Sequence, residues 1–357
     1  MHATTPIRLV EESPRLSIVI PAVHGAQALE ETLLSVLENR PEQCEVIVAL
    51  ACEYDDPWNL REEVTFVRAP ADASTVGCVN LGISSASGEI VHVLSAGWKA
   101  TPGWTDLALE RFADPAIAAV IPLTVDQGDS QRVVAMGLTY SRGGRRRRRV
   151  PPASRSSLTA VTLGIASLNR PRRGRITGPL IDAGFWRADT LASAGPGFAA
   201  CCGAEMADAD LAVAIAAAGG ETVVEPGAVV VAGPMTSDAG RFREGLHAER
   251  LFWRSVAGSS LLPTLLVHLV VVLRHAVVTL PLGTPAMLAG RLIAAVQFGS
   301  YGNRYRQLRA LRDARAATEP RAPELGGDGV SVRADSGEST LPRPRHLNRQ
   351  PELRRSA

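Results

Sequence analysis

The chain has 357 residues, of which 46% are hydrophobic, 21% charged and 4% aromatic, and its formal net charge is +2. This composition excludes a wholly disordered chain, a collagen-like fibre and a transporter with many membrane spans. The length suits about two structural units, and the near-neutral charge gives the whole chain no signature of a nucleic-acid-binding protein.

The five cysteines do not form a metal-binding or disulfide pattern. Cys44, Cys52 and Cys78 are isolated, Cys201 and Cys202 are adjacent, and no CxxC pair occurs. The sequence therefore predicts no metal site of the usual zinc spacing and favours a reducing compartment. The polar lead-in, residues 1–15, lacks an apolar run of signal-peptide length, so we expect the following domain in the cytoplasm.

Strand-like and helix-like segments alternate from residue 16 to about residue 240. Short apolar, β-branched runs predict strands, and longer runs with one apolar face predict helices. The predicted strands are 16–21, 45–50, 64–67, 89–94 and 118–122, and the predicted helices are 29–37, 76–85 and 107–112. This order predicts an α/β fold with a Rossmann-like, mostly parallel sheet and helices on both faces. Ligands of such sheets bind at the carboxyl ends of the strands.

The turn after the first strand excludes one common use of this fold. Residues 21–26 read PAVHGA and contain no GxGxxG. A dinucleotide-binding oxidoreductase is therefore disfavoured.

The order of several short motifs between residues 16 and about 255 resembles glycosyltransferase family 2, whose members have the type A nucleotide-sugar-binding fold. The matching pieces are the strand 17–21, Asn80, Gly82, Ala86, Gly88 and Glu89, the segment 101–104, the turn 195–198, the helix start 207–211, Gly219, Gly220 and the segment 225–228. No piece is specific alone, but their order and spacing together carry the resemblance.

The resemblance implies transfer of a sugar from a nucleotide-diphosphate sugar to an acceptor hydroxyl, in cell-envelope or surface-polysaccharide biosynthesis. It implies that Asp208 is the general base, although Asp208 could instead simply favour a helix start through the helix dipole. Donor contacts are expected from five residues, which are Pro21, His24, Glu53, Asn80 and Ser95. The acceptor is expected to be a glycan or a lipid-linked glycan.

The carboxylates that usually hold the donor in this family are missing. Leu50 and Ala51 stand where an aspartate pair is usual, and residues 94–98, LSAGW, stand at the usual metal motif. Serine and glycine are poor ligands for Mg²⁺ or Mn²⁺, the cations expected of the family. The alternative is therefore a catalytically inactive relative that serves as a membrane-attached binding or scaffold subunit. Lys99, the only lysine, or nearby arginines could neutralise a diphosphate instead.

The predicted glycosyltransferase-like domain comprises residues 16–254. An arginine-rich segment, residues 142–175, lies within it. It holds eleven arginines, including the run 145–149. Three interpretations stay open: a solvated loop, a site for acidic lipid headgroups or a polyprenyl phosphate, and a site for a diphosphate. Nucleic acid is not an expected partner, because no aromatic side chains are interleaved to stack bases.

Two further zones follow the domain. Residues 255–311 contain apolar helices, and the 19 residues between Arg254 and Arg274 carry no formal charge, which is just enough to span a bilayer. Pro263 and His268 favour helices that lie in the membrane surface over a transmembrane or a soluble helical pair. The arginines that follow suit the cytoplasmic face of the cell membrane. Residues 312–357 are rich in Pro, Glu, Gly and Ser and are predicted to be a disordered tail.

Overall fold

The computed structural model describes residues 15–23, 25–170, 175–195, 197–233, 240–256 and 260–318. His24 and the tail from residue 319 lie outside the described residues. The strands are β1 (Leu16–Ala22), β2 (Cys44–Leu50), β3 (Val64–Arg68), β4 (Ile90–Leu94), β5 (Lys99–Ala100), β6 (Ile117–Val125), β7 (Val133–Ala135), β8 (Leu138–Ser141), β9 (Arg145–Arg148), β10 (Arg175–Gly178), β11 (Ala183–Arg187) and β12 (Glu221–Val231). The helices are α1 (Ala26–Asn39), α2 (Thr75–Ser85), α3 (Asp106–Arg111), α4 (Leu158–Leu163), α5 (Ile165–Leu168), α6 (Ala188–Ala194), α7 (Gly203–Ala218), α8 (Arg241–Ser255), α9 (Leu261–Val278), α10 (Thr284–Val296) and α11 (Gly302–Thr318).

The main sheet has the strand order β3-β2-β1-β4-β11-β6-β12-β5, with β7 beside β6. The first four of these strands are parallel, β11 runs antiparallel between β4 and β6, and β6 and β12 are parallel. Strands β1 and β4 are buried along their whole length, because their uninterrupted apolar sequences need cover on both faces. The α/β fold class predicted from the sequence is confirmed, with a mixed sheet beyond β4.

One carboxylate fixes the start of β4 against β1. Glu45 Oε1 accepts hydrogen bonds from Ser17 Oγ (2.5 Å), the main-chain N–H of Ser87 (2.7 Å) and that of Gly88 (3.2 Å). A Cβ at Gly88 would stand 2.6 Å from Ser17 Oγ and 2.7 Å from its nitrogen. Position 88 therefore admits glycine alone, and the turn 87–88 delivers β4 in register beside β1.

The arginine run forms a strand where a loop was expected. Strand β9 pairs antiparallel with β8, and β8 pairs with β10, in a second, three-stranded sheet. Arg146 stands opposite Tyr140, and Arg148 stands opposite Leu138; both partners are buried. These alternate arginines therefore share the face of the strand that carries Tyr140 and Leu138, hereafter the inward face, and Arg146 is fixed there by Asp208.

One acidic residue of α7 joins α8 and α11, the helices before and after the apolar pair α9 and α10. Asp210 on α7 accepts hydrogen bonds from Arg254 on α8 (2.7 and 3.0 Å) and from Arg304 on α11 (2.7 Å). Helix α11 continues through residues 312–318, which the sequence assigned to the disordered tail. The segment 311–318, LRDARAAT, consists largely of strong helix formers, so the helix ends later than the composition indicated.

Helix α9 is held at its middle by a histidine. His268 Nδ1 donates to the main-chain carbonyl of Gly143 (2.8 Å), and the ring stacks on Phe252 with centroids 3.5 Å apart. Glu249 on α8 lies 3.1 Å from His268 Nε2 and 2.7 Å from Arg291 Nη1 on α10. Burial alone would raise the pKa of Glu249, but its bonds to these two residues outweigh burial and lower the pKa. The contacts join α8, α9 and α10 to the turn before β9.

His92 on β4 is a core residue. Its Nδ1 donates to the carbonyl of Gly184 (2.9 Å), its Nε2 accepts from the indole N–H of Trp104 (3.1 Å), and its ring stacks on Phe185 at 3.8 Å. Burial lowers the pKa of His92 to about 3, because the imidazolium would lose its hydration.

This burial predicts a specific acid sensitivity. An unfolded chain binds a proton at His92 near pH 6.5, whereas the folded chain leaves the ring neutral down to about pH 3. The contribution of His92 to stability is therefore complete above pH 6.5 and falls as the pH falls, by about 1.4 kcal/mol per unit. We expect the difference in unfolding free energy between wild type and His92→Gln, measured in urea, to shrink by about 2 kcal/mol from pH 6.5 to pH 5. A difference that stays constant with pH would contradict a neutral buried ring.

Candidate functional site

The carboxyl ends of β1, β2 and β4 meet at one edge of the main sheet. The main-chain N–H of Ala96, just after β4, donates to the carbonyl of Pro21 (3.3 Å). The N–H of Ala51, just after β2, donates to the carbonyl of Ala22 (2.9 Å). The predicted donor contacts Pro21 and Ser95 are thus brought to the same edge, and the segment that contains Glu53 begins there.

A carboxylate that the sequence analysis missed stands at this edge. Asp182 immediately precedes β11, and Ser95 Oγ donates to its Oδ1 (3.1 Å), while the N–H of Ser95 donates to its carbonyl (2.9 Å). Burial is the main cause that raises the pKa of Asp182, and the charge of Asp208 adds to it, while the bond from Ser95 opposes it. An acid alone within the apolar run 179–183, PLIDA, was the available signal for it.

Asp208, the predicted general base, is tied to the arginine strand. Arg146 Nε donates to its Oδ1 (2.8 Å) and Nη2 donates to its Oδ2 (2.5 Å), and the N–H of Ala209 also donates to Oδ1 (2.7 Å). The Asp208 side chain is 0% exposed. Burial would lower the pKa of Arg146, but the charge and hydrogen bonds of Asp208 outweigh it and raise the pKa. The sequence predicted a helix start at residues 207–211, but α7 begins at Gly203, so Asp208 lies beyond its first turn. The partner that holds this aspartate was not predicted.

Arg148 lies on the same face of β9 as Arg146, near enough to Asp182 and Asp208 for their charges to act on it. It is exposed, and it has no hydrogen-bond or ion-pair partner among the described residues. The pKa of Arg148 is lowered overall. Partial burial is the main cause and the charge of Arg146 adds to it, while the charges of Asp182 and Asp208 oppose the shift. The cluster of Asp182, Asp208, Arg146 and Arg148, hereafter the arginine–aspartate cluster, therefore combines two acids with two guanidinium groups.

A second acid–base pair flanks the cluster. Glu205, in the first turn of α7, lies 3.1 Å from His247 Nδ1 on α8. The hydrogen bond to His247 is the main cause that lowers the pKa of Glu205, against the effect of burial. This pair links the start of α7 to α8.

The other predicted site residues make different contacts. Asn80 on α2 donates to the carbonyl of Phe198 (2.8 Å) and accepts from its N–H (2.8 Å), so its observed contacts fix the turn around residue 198. Glu53 is exposed after β2, and the buried Tyr54 hydroxyl beside it has no partner among the described residues. His24 lies outside the described residues.

The residues at this edge do not suit a divalent cation. Magnesium and manganese prefer several carboxylate or carbonyl oxygens, but residues 95–97 after β4 are Ser, Ala and Gly. The described part of the chain contains no group of three or more His, Cys, Asp or Glu side chains placed to hold a metal. Both acids of the cluster face guanidinium groups, which repel a dication.

Comparison with known proteins identifies the domain. Residues 17–162 match the family model "Glycosyl transferase family 2". These residues therefore form a glycosyltransferase family 2 domain, which confirms the resemblance found in the sequence.

A mouse protein, polypeptide N-acetylgalactosaminyltransferase 12, is 30% identical to the chain over 121 residues, which cover 31% of this chain and 21% of the mouse protein. The chain thus spans about a fifth of the length of that curated relative.

Three solved structures are similar at low identity. GalNAc-T7 with UDP, GalNAc and Mn²⁺ is 13% identical, with 69% of this chain and 48% of that chain covered and a TM-score of 0.47. The mannosyltransferase PcManGT from Pyrobaculum calidifontis with GDP-Man and Mn²⁺ is 18% identical, with 86% of this chain and 85% of that chain covered and a TM-score of 0.48. S. aureus TarS 1-349 is 11% identical, with 85% of this chain and 91% of that chain covered and a TM-score of 0.49. This chain spans about half of the GalNAc-T7 chain.

Proposed function

We propose that the protein transfers a sugar from a nucleotide-diphosphate sugar to an acceptor hydroxyl of a glycan or lipid-linked glycan. The observation that carries the proposal is the arginine–aspartate cluster beside Ser95, at the strand-end edge of a glycosyltransferase family 2 domain. Ligands of open α/β sheets bind at this edge. The cluster supplies the two things such a transfer needs, a base for the acceptor and positive charge for the leaving diphosphate.

Asp182 is the better placed proton acceptor of the two clustered aspartates. A general base must reach the proton that it removes, and Asp182 is half-buried at the edge, whereas the Asp208 side chain is covered. The raised pKa of Asp182 also increases its basicity, because a carboxylate of higher pKa binds a proton more strongly. In this mechanism Asp182 takes the proton of the acceptor hydroxyl, the oxygen attacks the anomeric carbon and the nucleoside diphosphate leaves. Asp208 then acts by positioning Arg146.

The contacts of Asp208 also favour a second candidate function, that of an inactive relative. A carboxylate that accepts two hydrogen bonds from one guanidinium and a third from Ala209 is poorly placed to act as a base. If Asp208, the base implied by the family, is the only base, its pairing with Arg146 would prevent turnover. The chain would then bind a partner or a donor without transferring a sugar. Donor turnover separates the two candidates.

The test is release of nucleoside diphosphate from UDP-glucose, UDP-galactose, UDP-N-acetylglucosamine and GDP-mannose in the presence of membrane extract. We expect release with one of these donors, and a fall in turnover of about 100-fold or more in Asp182→Asn, because a general base contributes about that much. The dissociation constant for UDP or GDP should not rise, since the base acts on the acceptor and its replacement removes a negative charge beside Arg146 and Arg148.

Asp189→Asn, which changes an exposed acid on the neighbouring helix α6, is the matched control and should keep full turnover. Release by wild type that Asp182→Asn leaves unchanged would reject Asp182 as the base. Binding of UDP or GDP without release from any donor would favour the inactive relative.

We further propose that the protein lies on the cytoplasmic face of the cell membrane through α9 and α10. Helix α9 is the one helix in the described ranges that is long and apolar enough to cross a bilayer, and only 11% of it is buried. Its large exposed side chains continue onto the following turn and α10, and they include Leu262, Leu266, Val270, Leu273, Val277, Leu282, Leu292 and Val296. An apolar surface of this size favours contact with lipid or protein.

The attachment of α9 favours a helix in the membrane surface over a spanning one. His268 at its middle bonds the carbonyl of Gly143, and Thr264 is buried one turn earlier, so one face of α9 is covered by the domain. A spanning helix would need lipid or apolar cover around its middle. A helix that exposes one apolar face to lipid and packs its other face on the domain suits the membrane–water interface.

Vesicle flotation tests this placement. We expect wild type to float with phosphatidylcholine–phosphatidylglycerol vesicles and to be released by carbonate at high pH, as an interfacial protein should be. The double variant Leu266→Glu, Leu273→Glu should lower binding at least about tenfold, because each leucine contributes about 1.5–3 kcal/mol when buried. The control Leu163→Glu changes a leucine that is 84% exposed on α4 and should not alter binding. Retention after carbonate treatment would indicate a spanning helix instead.

A further inference from the structure

We infer that Arg148, with Arg146 beside it, binds the diphosphate of the donor, and that donor binding therefore needs no divalent cation. The inference rests on the proposed glycosyltransfer function and assigns the anion-binding part of that site. It names the guanidinium face of β9 as the positive charge at the leaving group.

The alternation of β9 sorts its four arginines into two faces. Successive side chains of a strand point to opposite sides. Arg146 and Arg148 stand opposite Tyr140 and Leu138, which are buried, so these two arginines share the inward face. Arg147, between them, belongs to the outward face and is exposed. The run that looks uniform in the sequence is therefore two different surfaces.

The inward face is connected to the strand-end edge by a short chain of contacts. Asp208 fixes Arg146 through two hydrogen bonds of 2.8 and 2.5 Å. Asp182, whose carboxylate accepts from Ser95 at 3.1 Å, lies within electrostatic range of both Arg146 and Arg148. Ser95 directly follows β4, so Asp182 links the arginines to the sheet edge.

Ion pairing on this face is incomplete. Asp208 pairs with Arg146, but Arg148 has no ion-pair partner in the described part of the chain and is repelled by Arg146. Asp182, the second acid nearby, accepts from Ser95 and leaves the Arg148 donors open to an anion. The planar fork of arginine donates two parallel hydrogen bonds to phosphate, so its geometry suits this ligand.

The arginine–aspartate cluster repels a divalent cation, because its acids lie beside guanidinium groups. The two acids that could bind a metal, Asp182 and Asp208, are close to Arg146 and Arg148, and the positions after β4 carry no carboxylate. The only lysine, Lys99, is paired with Glu31 on α1 at 3.0 Å. Arg148 is thus the cation in this cluster that is available to a ligand, and a guanidinium can stabilise the charge of a leaving diphosphate.

Isothermal titration of UMP, UDP and GDP, each with EDTA and with MnCl₂, tests the inference. We expect the dissociation constant of UDP or GDP to change by less than about threefold between EDTA and Mn²⁺, since charged hydrogen bonds replace the metal. For a uridine-specific site, Arg148→Gln should raise the dissociation constant of UDP at least about tenfold and that of UMP by less than about threefold. The lost contact is to the second phosphate, which UDP has and UMP lacks. For a guanosine-specific site the same comparison uses GMP and GDP.

Arg147→Gln removes the same charge from the outward face of the same strand and is the matched control. It should leave all the dissociation constants within about twofold, because Arg147 lies on the face of β9 opposite to Arg146 and its partner Asp208. Loss of UDP and GDP binding in EDTA with recovery in Mn²⁺ would overturn the inference while the proposed function stands. Equal effects of the two variants would overturn it as well. Absence of nucleotide binding under every condition would reject the proposed donor site itself.

Discussion

The buried ion pair between Arg146 and Asp208 determines where the candidate site lies. It joins the three-stranded sheet to the start of α7, and these elements are otherwise distant in sequence, 62 positions apart at this contact. Breaking such a pair on one side leaves an unbalanced buried charge, which is costly. The pair therefore holds the inward face of β9 against α7.

Helix α7 serves two attachments at once because its acids are two residues apart. Positions i and i+2 of a helix point about 200° apart. Asp208 consequently meets the arginine strand, while Asp210 meets Arg254 and Arg304 from the C-terminal helices. Helix α7 thus connects the arginine strand with α8 and α11, the helices before and after the apolar α9 and α10. His268 adds a second connection, from α9 to the turn before β9.

Sequence patterns predicted the parts of the fold that depend on local hydrophobicity. The runs that became β1, β2, β4 and β6 are largely apolar, and burial on both faces requires such runs. The run that became β3 was also predicted, although this edge strand is only partly buried. Strand β9 was missed because four arginines in a row look solvated. The strand is held by its pairing with β8 and by Asp208, which is 62 positions away from Arg146 in the sequence. Asp182 was missed for the same reason, since its partner Ser95 is 87 positions away.

The most direct test of the account is a double-mutant cycle on Arg146 and Asp208, measured as unfolding free energies in urea. Arg146→Gln and Asp208→Asn should each destabilise the protein by about 3 kcal/mol, and the double variant should be no less stable than the single variants, because the second change removes the unbalanced charge. The resulting coupling energy should be about 3 kcal/mol or more. Additive effects, with a coupling below about 0.5 kcal/mol, would contradict a buried pair at the centre of the site.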